Sequence, residues 1–320
     1  MDVLIEFFES WQATLYEVVV QPIAFAAGQS SLLEKAYEGT GWVVAGLLQL
    51  LVILLVIGPM QRRWPVQPIT DLRAVWVDVV YTLIHRLGLF KLGMFFTLEY
   101  LFEQGLGRLR ALGLPTFHLD GLWPGVTDLA LVSFVIYLVF FDFVHYWIHR
   151  AQHQSHNWWA LHSLHHAQRQ MTMWSDNRNH LLDDIVTSLI LSAVAVLMGV
   201  GPGQFVALVA ISQLSENFQH ANVRIWFGHI GERLWVSPRF HRRHHSIGIG
   251  HESRIEGKVV LGGCNFGVLL PWWDVLFGTA DFQQRYDPTG VRDQVEQGRD
   301  YGLGFWAQQK QGLLRLVGRA

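Results

Sequence analysis

The chain has 320 residues, of which 51% are hydrophobic and only 16% are charged, and its mean hydropathy is +0.22. These values are unusual for a soluble domain and indicate a membrane-embedded chain. The net charge of −2 argues against a nucleic acid as partner. The single cysteine, Cys264, excludes an intramolecular disulfide and a thiolate cage around a metal ion.

The N-terminal part of the chain is predicted to hold a surface segment, residues 1–41, and then a first membrane span. The segment begins MDVLIEFFESW, which is acidic and lacks a cleavage site, so no signal peptide is expected. Residues 42–58 are uncharged and close to the length of a bilayer-spanning helix. Residues 74–102 are apolar but carry ionisable side chains, which fits one long span or two short helices. Residues 42–125 are therefore predicted to be membrane helices and their connecting loops.

A helix is predicted over residues 126–149, and its uncharged stretch covers residues 129–141. At 1.5 Å per residue this stretch is about 20 Å long, which is shorter than the roughly 30 Å hydrocarbon core. We therefore expect the polar end of the helix, with His145 and His149, to project from the membrane. Residues 185–214 are apolar but interrupted by glycines and a proline near residue 200, which predicts a helical hairpin in the membrane.

The loops after residue 149 carry most of the arginines, which predicts that the histidine-rich part lies on the cytoplasmic side of a multi-pass membrane protein. The predicted fold class is all-α: an integral membrane helical bundle of about four spans with a cytosolic metal-binding cap. Residues 126–279, including the hairpin, are predicted to form the catalytic domain. Residues 280–320 are predicted to form a C-terminal cytosolic tail.

Three tight clusters contain eight of the sixteen histidines, with the spacings HxxxH, HxxHH and HxxHH. These spacings place imidazoles on one face of a helix. So many rings would repel one another as cations, whereas neutral rings each offer a lone pair to a transition metal. One zinc ion accepts four ligands, so two metal ions are predicted, and ligand softness leaves zinc, copper, iron and nickel open. The clusters are His145 and His149; His162, His165 and His166; and His241, His244 and His245.

The ordered clusters resemble the histidine boxes of the fatty acid hydroxylase and sterol desaturase superfamily. The resemblance covers roughly residues 140–279. It rests on DFVHYWIHRAQH (142–153), LHSLHHAQ (161–168), PRFHRRHH (238–245) and the closing motif WWDVLFGT (272–279). It implies a four-helix membrane enzyme whose cap holds a non-haem di-iron centre, so two iron ions are chosen, with O2 as co-substrate. It also adds His220, in NFQHAN, to the expected ligands.

Three further polar residues are candidates for the site. Asp142 lies three residues before His145 and is expected to orient that ring. Glu216, one helical turn before His220, fits a metal ligand, an acceptor for the N–H of a ligand or a solvated residue, and the acceptor role is preferred. His180 resembles the family's Arg-x-His element, and it fits a ligand, a headgroup contact or a structural hydrogen bond.

Other polar residues near the clusters stay open at this point. His153 follows the first cluster and fits either a ligand or a supporting residue. His156 is expected at the surface, and His251 fits a loop residue or a contributor to the cap. Asp183 and Asp184 could each accept from the second N–H of a ligating histidine, but an acidic helix N-terminus is the preferred interpretation of Asp183.

These features predict a membrane enzyme that hydroxylates or desaturates an unactivated C–H bond of a lipid. No GxGxxG motif or cysteine cluster is present, so the electrons must come from an external cytochrome, ferredoxin or flavin reductase. The alternative is a histidine-rich membrane protein that binds or transports metal without oxidative chemistry. Transporters tend to place ligands near the bilayer midplane, however, whereas these clusters lie at the ends of the spans. A bis-histidine haem protein would instead bury separated histidines inside a bundle.

Overall fold

The computed structural model describes residues 2–94, 98 and 100–320, so residues 95–97 and 99 of the predicted membrane segment 74–102 lie outside the description. The described chain is mostly helical, as the composition predicts. Short 3-10 turns cover Ser30–Leu32, Leu119–Gly121 and Ser175–Asn177, and π-helical turns cover Tyr16–Val20 and Ile53–Ile57. The α-helices are α1 (Asp2–Leu15), α2 (Gln21–Ala26), α3 (Leu33–Val52), α4 (Gly58–Arg63), α5 (Leu72–Arg86), α6 (Leu89–Met94), α7 (Tyr100–Ala111), α8 (Ala130–Gln154), α9 (His156–His166), α10 (Leu181–Leu197), α11 (Pro202–His220), α12 (Gly228–Leu234), α13 (Pro238–His244), α14 (Trp272–Leu276), α15 (Arg292–Glu296) and α16 (Phe305–Leu316).

Two helical stretches of the described chain are long and apolar enough to cross a membrane. One runs continuously from Ser30 to Arg63 and includes the predicted span 42–58, and the other is α8, Ala130–Gln154. Helices α10 and α11 cover the predicted hairpin region and are separated by a turn at Gly199 with φ of +64°, while their arrangement as a hairpin in the membrane stays a prediction. The prediction of about four spans is thus supported for two helices by length and composition, and it stays a prediction for the hairpin and for residues 74–102.

Apolar side chains join the first span to the histidine-rich cap. Ile53 and Ile57 pack against Met173, Ala221 and Val223, and all five are buried. Residue 173 lies between the second histidine cluster and α10, while residues 221 and 223 directly follow the last residue of α11. The cap is therefore held against the membrane helices by a small hydrophobic core at the end of the first span.

The cap also contains a β-hairpin, which the all-α prediction missed. Strands β1 (Glu252–Ile255) and β2 (Lys258–Leu261) pair antiparallel, with Glu252 opposite Leu261 and Ile255 opposite Lys258. The two-residue turn has positive φ at both Glu256 (51°) and Gly257 (79°), which is the geometry that matches the twist of two paired strands. An apolar run of three residues, 259–261, was too short to predict a strand by its periodicity.

The predicted C-terminal tail contains a docked helix. Helix α16 packs against α9, which carries the second histidine cluster, and Arg315 Nε donates a hydrogen bond to the carbonyl of Ala160. Gln309 accepts from the backbone N–H of Leu181 and donates to the hydroxyl of Tyr81. Since α16 bridges α5, α9 and α10, the end of the chain supports the histidine-bearing helices.

A close approach between α3 and α5 depends on Gly46. A Cβ atom at position 46 would lie 1.8 Å from the carbonyl oxygen of Arg86, which is backbone and has little room to move. We expect Gly46→Ala to destabilise the protein by about 1–3 kcal/mol, the usual range for overpacking. Gly39→Ala, in the same helix with no atom within 4 Å of its Cβ position, should be neutral or slightly stabilising. Thermal melting in one detergent compares the two variants, and equal melting temperatures would contradict the expectation.

Candidate metal centre

The ends of four helices bring the buried histidines of the cap together. Helix α9 begins after Ser155, whose side chain accepts a hydrogen bond from the N–H of Trp158. Helix α13 begins after Ser237, which caps the N–H of Phe240 in the same way. Such N-caps satisfy the free N–H groups of a first turn, so these short helices start at defined residues. The buried histidines are His149 and His153 of α8; His162, His165 and His166 of α9; His220 of α11; and His241, His244 and His245 of α13 and its C-cap.

These side chains form two sets of four that could each hold a metal ion. In each set, one ligand atom per residue lies within 4.8 Å of the others. His166, His244 and His245 form an overlapping third set, which connects the two. The first group comprises His149, His153, His162 and His166, and the second group comprises His165, His220, His241 and His245.

The second group is the more compact in its measured distances. His220 Nε2 lies 3.1 Å from His165 Nε2 and 3.0 Å from His241 Nε2. His245 Nε2 lies 3.1 Å from His241 Nε2. Neutral imidazole has one donor and one acceptor, and His220 already uses its Nδ1–H on the Glu216 carbonyl. Its Nε2 can then only accept, so separate hydrogen bonds cannot satisfy all three close contacts along this chain of nitrogens. A shared cation satisfies all four at once.

The outer ring nitrogens of four histidines are held by acceptors, which sets their tautomer. His149 Nδ1 lies 2.9 Å from the Phe266 carbonyl, and His162 Nδ1 lies 3.0 Å from Asp183 Oδ2. His220 Nδ1 lies 2.8 Å from the Glu216 carbonyl, and His244 Nδ1 lies 2.7 Å from the Cys264 carbonyl. An acceptor there places the proton on Nδ1 and leaves the lone pair on Nε2, directed into the cluster. The Nε2 atoms of His162 and His244 are buried and have no hydrogen-bond partner among the described residues. The donor set therefore fits transition-metal ions.

Burial favours the neutral form of several rings in the cap. It lowers the pKa of His244 to about 3 and that of His251 to about 4. It also holds the pKa of His166 and of His241 well below the ordinary value, and neighbouring imidazoles lower both further. Neutral rings are the form that binds a metal, so the environment favours ligation at neutral pH.

We expect the metal-free protein to lose stability in acid. The folded-state pKa of His244 and of His251 lies below the unfolded value of about 6.5, so the unfolded chain binds more protons below that pH. Stability is therefore complete above about pH 6.5 and falls as the pH drops toward 4 and then 3, by up to about 1.4 kcal/mol per pH unit for each histidine. Melting of chelator-treated protein from pH 7.5 to 4.5 measures this slope. His251→Gln should make it shallower, and a flat profile would contradict the expectation.

Residues 134–279 match the family described as "Fatty acid hydroxylase". This part of the chain is a fatty acid hydroxylase domain. It contains both histidine groups and the closing motif, so the superfamily resemblance predicted from the boxes is confirmed.

Curated relatives of this domain carry the names of lipid-oxidising enzymes. The chain is 28% identical to an ornithine lipid hydroxylase of Rhizobium tropici, over 60% of this chain and 54% of the relative. It is 28% identical to a Delta(7)-sterol 5(6)-desaturase of Aspergillus fumigatus, over 49% of each chain. It is 24% identical to an alkylglycerol monooxygenase of Caenorhabditis elegans, over 49% of this chain and 28% of the relative. The chain thus spans about half the length of the first two, and no solved structure matches it.

The first pair of ligand candidates in the fatty acid hydroxylase domain differs from the predicted pair. His149 and His153 belong to the first group, whereas His145 lies in none of the sets formed by the described residues. Both ring nitrogens of His153 are buried without a partner among those residues. The segment reads HxxxHxxxH, and its spacing alone could not distinguish the first pair from the second. The helix direction decides, because only the C-terminal pair reaches α9 and α13.

Asp142 does not orient His145, contrary to the prediction. Its carboxylate accepts from the backbone N–H groups of Leu269 and Leu270 and from the indole N–H of Trp273. It therefore anchors the segment that leads into the closing motif. The carboxylate that lies against a ligand candidate is that of Asp183, 3.0 Å from His162 Nδ1, so of its two interpretations the geometry fits the histidine partner, which was not the preferred one.

His180 is a structural residue in the described fold rather than a ligand. Its Nδ1 accepts from the N–H of Leu182 at the start of α10, and its Nε2 lies 2.9 Å from the carbonyl of Gln309. No nitrogen is left for a metal or a headgroup, so of the three predicted roles the geometry fits the structural hydrogen bond. Glu216 lies outside the metal sets of the described residues, and the acceptor for His220 is its backbone carbonyl, not its carboxylate.

A cavity of about 210 Å³ connects the histidines with the membrane helices. One wall contains His149 and His162 of the first group together with His165, His220 and His241 of the second. Another part of the lining is aromatic: Phe205 lies 6.2 Å from Trp42 and 5.8 Å from Phe141, measured between ring centroids, and Lys91 Nζ lies 4.6 Å from the Trp42 centroid. A molecule in this cavity would lie between apolar helices with one end against both histidine groups.

Proposed function

We propose that this chain is a membrane-bound di-iron oxygenase that uses O2 and external electrons to hydroxylate or desaturate an unactivated C–H bond of a lipid. The observation that carries the proposal is the shared wall of the cavity, to which both histidine groups contribute. A metal-storage or transport protein has no need to place two such groups beside a cavity that is partly lined by apolar side chains. The relatives named above, all with lipid-oxidising names, support the same class of reaction.

The first and second groups would hold one iron ion each. Their donors are imidazole nitrogens, and His149, His162 and His220 have the outer N–H already engaged, which fits a divalent ion of the imidazole-preferring series; the family favours iron among these. Iron in such a pair supplies O2 activation and removal of a hydrogen atom from carbon. The chain's own residues exclude bulk water through their burial and hold the substrate against the wall of the cavity.

The electrons would come from a separate protein, a cytochrome, a ferredoxin or a flavin reductase. The sequence contains one cysteine and no dinucleotide fingerprint, so the described site has no carrier of its own. The donor would approach the cap from the cytoplasmic side, where the arginine-rich loops place it under the positive-inside rule. Both groups are buried, so electrons would enter through the protein surface above them.

Lipid analysis in an expression host tests the proposed function. Extracts from cells producing the wild-type chain should contain a lipid that is heavier by one oxygen or lighter by two hydrogens than in cells producing His165→Ala. His165 belongs to the second group, so its loss should abolish the change. The purified wild-type protein should contain about two iron ions per chain. Bound metal with identical lipid extracts in a host that supplies electron donors would favour the alternative, metal binding or transport.

A further inference from the structure

Beside the histidine groups, the cavity is lined by hydrogen-bond acceptors that have no donor. Asn177 Oδ1 and Gln219 Oε1 are buried and lack a hydrogen-bond partner among the described residues. Asn177 is 7% exposed and Gln219 is 1% exposed. A buried acceptor without a partner is destabilising, so these atoms point to a ligand that donates hydrogen bonds.

The hydrogen bonds of the two amide NH2 groups show which amide atom of Asn177 and Gln219 is the oxygen. Gln219 Nε2 donates to the Val268 carbonyl at 2.7 Å and to Ser215 Oγ at 2.9 Å, and a carbonyl can only accept. Asn177 Nδ2 donates to the Asp176 carboxylate at 3.2 Å. With their NH2 groups engaged in this way, both residues present an oxygen, not a nitrogen, as the free atom.

Carboxylates reinforce the acceptor character of this end. Glu216 lines the cavity one turn before His220, and none of the hydrogen bonds of the described residues involves its carboxylate. Asp184 Oδ2 lies 3.2 Å from His85 Nε2. The Asp176 and Asp183 carboxylates are likewise occupied by neighbouring donors, so Glu216 is the carboxylate of this group with room for an ammonium group.

Donor-bearing side chains lie in the same region, namely Arg86, His85 and Lys91. Arg86 Nε is buried without a partner, while Arg86 Nη2 donates to Asn217 Oδ1 at 2.8 Å and lies 3.3 Å from Asp176. A group bound here can therefore donate several hydrogen bonds and accept at least one. A hydrocarbon chain can do neither, and it would leave all of these atoms unsatisfied.

From these observations we infer that the lipid enters with its polar headgroup first, that the headgroup carries an amino group, and that the oxidised carbon lies in or next to the headgroup. The inference rests on the proposed function and deepens it. The apolar tail would then lie toward Trp42, Phe141 and Phe205, the aromatic part of the cavity lining. The balanced reaction is C–H + O2 + two electrons + two protons giving C–OH + H2O, with the electrons from the external donor protein.

Tandem mass spectrometry of the lipid extracts gives the first test. In the new lipid, the added oxygen should appear on the headgroup fragment and not on the acyl fragments. An oxygen on an acyl fragment, or loss of two hydrogens from a sterol, would overturn the inference while leaving the proposed lipid oxidation intact. Unchanged lipids would count against the proposed function, and the binding test below then decides the inference separately.

Binding of simple amphiphiles gives the second test, without turnover. The full-length, iron-loaded protein in phosphatidylcholine nanodiscs is titrated anaerobically with dodecylamine and with dodecanol, and intrinsic tryptophan fluorescence is followed. We expect dodecylamine to bind at least about tenfold more tightly, since an ammonium group makes charged hydrogen bonds to these acceptors and a hydroxyl group makes neutral ones. Equal affinities would overturn the inference.

Matched variants assign the preference to the cavity. Glu216→Gln removes the free carboxylate and should bring the two affinities within about threefold. Glu296→Gln makes the same chemical change on the exposed surface of the cap, where Glu296 pairs with Arg292, and should keep the tenfold preference. Iron content and melting temperature identify a Glu216→Gln protein that fails to fold, in which case Asn177→Leu provides the second variant. A preference that survives both cavity variants would contradict the inference.

Discussion

Replacing His153 by alanine should reduce the iron content from about two ions to about one per chain. His153 is fully buried in the first group, and neither ring nitrogen has a hydrogen-bond partner among the described residues. Its removal leaves three imidazoles for the first ion. Loss of an outer partner of a ligand already weakens metal sites about 10- to 100-fold, so loss of a ligand should weaken this one by more than about 100-fold. Metal analysis after dialysis against a weak chelator measures the change, and lipid oxidation should disappear with it.

His145→Ala is the informative comparison, because His145 lines the cavity but lies in neither group. It should keep about two ions. His156→Ala, at the exposed start of α9, controls for the general effect of removing an imidazole from this region. If His145→Ala lost an ion and His153→Ala did not, the pairing predicted from the sequence would be right and the first group as described would be wrong.

Asp183→Asn is expected to weaken binding of the first ion about 10- to 100-fold, with a smaller effect on the second. The Asp183 carboxylate accepts from His162 Nδ1 at 3.0 Å, from Trp158 Nε1 at 2.6 Å and from Gln152 Nε2 at 2.7 Å. An asparagine has one acceptor oxygen and one NH2 group. Its NH2 group would lie against one of these donors and could not accept a hydrogen bond from it. The His162 ring then loses the partner that sets its tautomer.

Chelator competition, with the two ions resolved, measures this effect. A lowered melting temperature is expected as well, since a buried hydrogen bond to a charged group contributes about 1.5–3 kcal/mol. The separate loss of affinity at the first group distinguishes orientation of His162 from a general loss of stability. Asp300→Asn, at an exposed position, is the control. Unchanged affinity for both ions would contradict the role given to Asp183.

Local spacing could predict much of this site because its ligand candidates come in short helical runs. His162, His165 and His166 lie on one short helix, and His241, His244 and His245 lie on another and its cap. Spacings of three and four residues bring side chains to one face of a helix whatever surrounds that helix. The helical class, and the break between α10 and α11, could be predicted for a similar reason, since apolar runs and a glycine-proline interruption are properties of residues that are close in sequence.

The partners of the carboxylates could not be predicted in this way. Asp142 bonds residues 269, 270 and 273, and Asp183 bonds residues 152, 158 and 162, so each depends on a contact across the fold. Closeness in sequence does not identify the partner of a histidine: Asp142 lies three residues before His145 but bonds other groups, whereas Asp183 lies 21 residues after His162 and bonds its ring. Only the packing of α10 against α8 and α9 brings the Asp183 carboxylate to the ring of His162.

The sequence by itself determined that the chain is helical, apolar enough for a membrane and equipped with three histidine clusters, because each of these properties resides in composition or in spacing within one helix. The tertiary structure alone decided that His153 replaces His145 in the first group, that α16 supports α9 and that the cavity presents free acceptors beside the histidines. The physical reason is that ligand sets, carboxylate partners and unsatisfied buried atoms are defined by distances between residues far apart in the chain. Those distances are set when α8, α9, α10, α11 and α13 pack together.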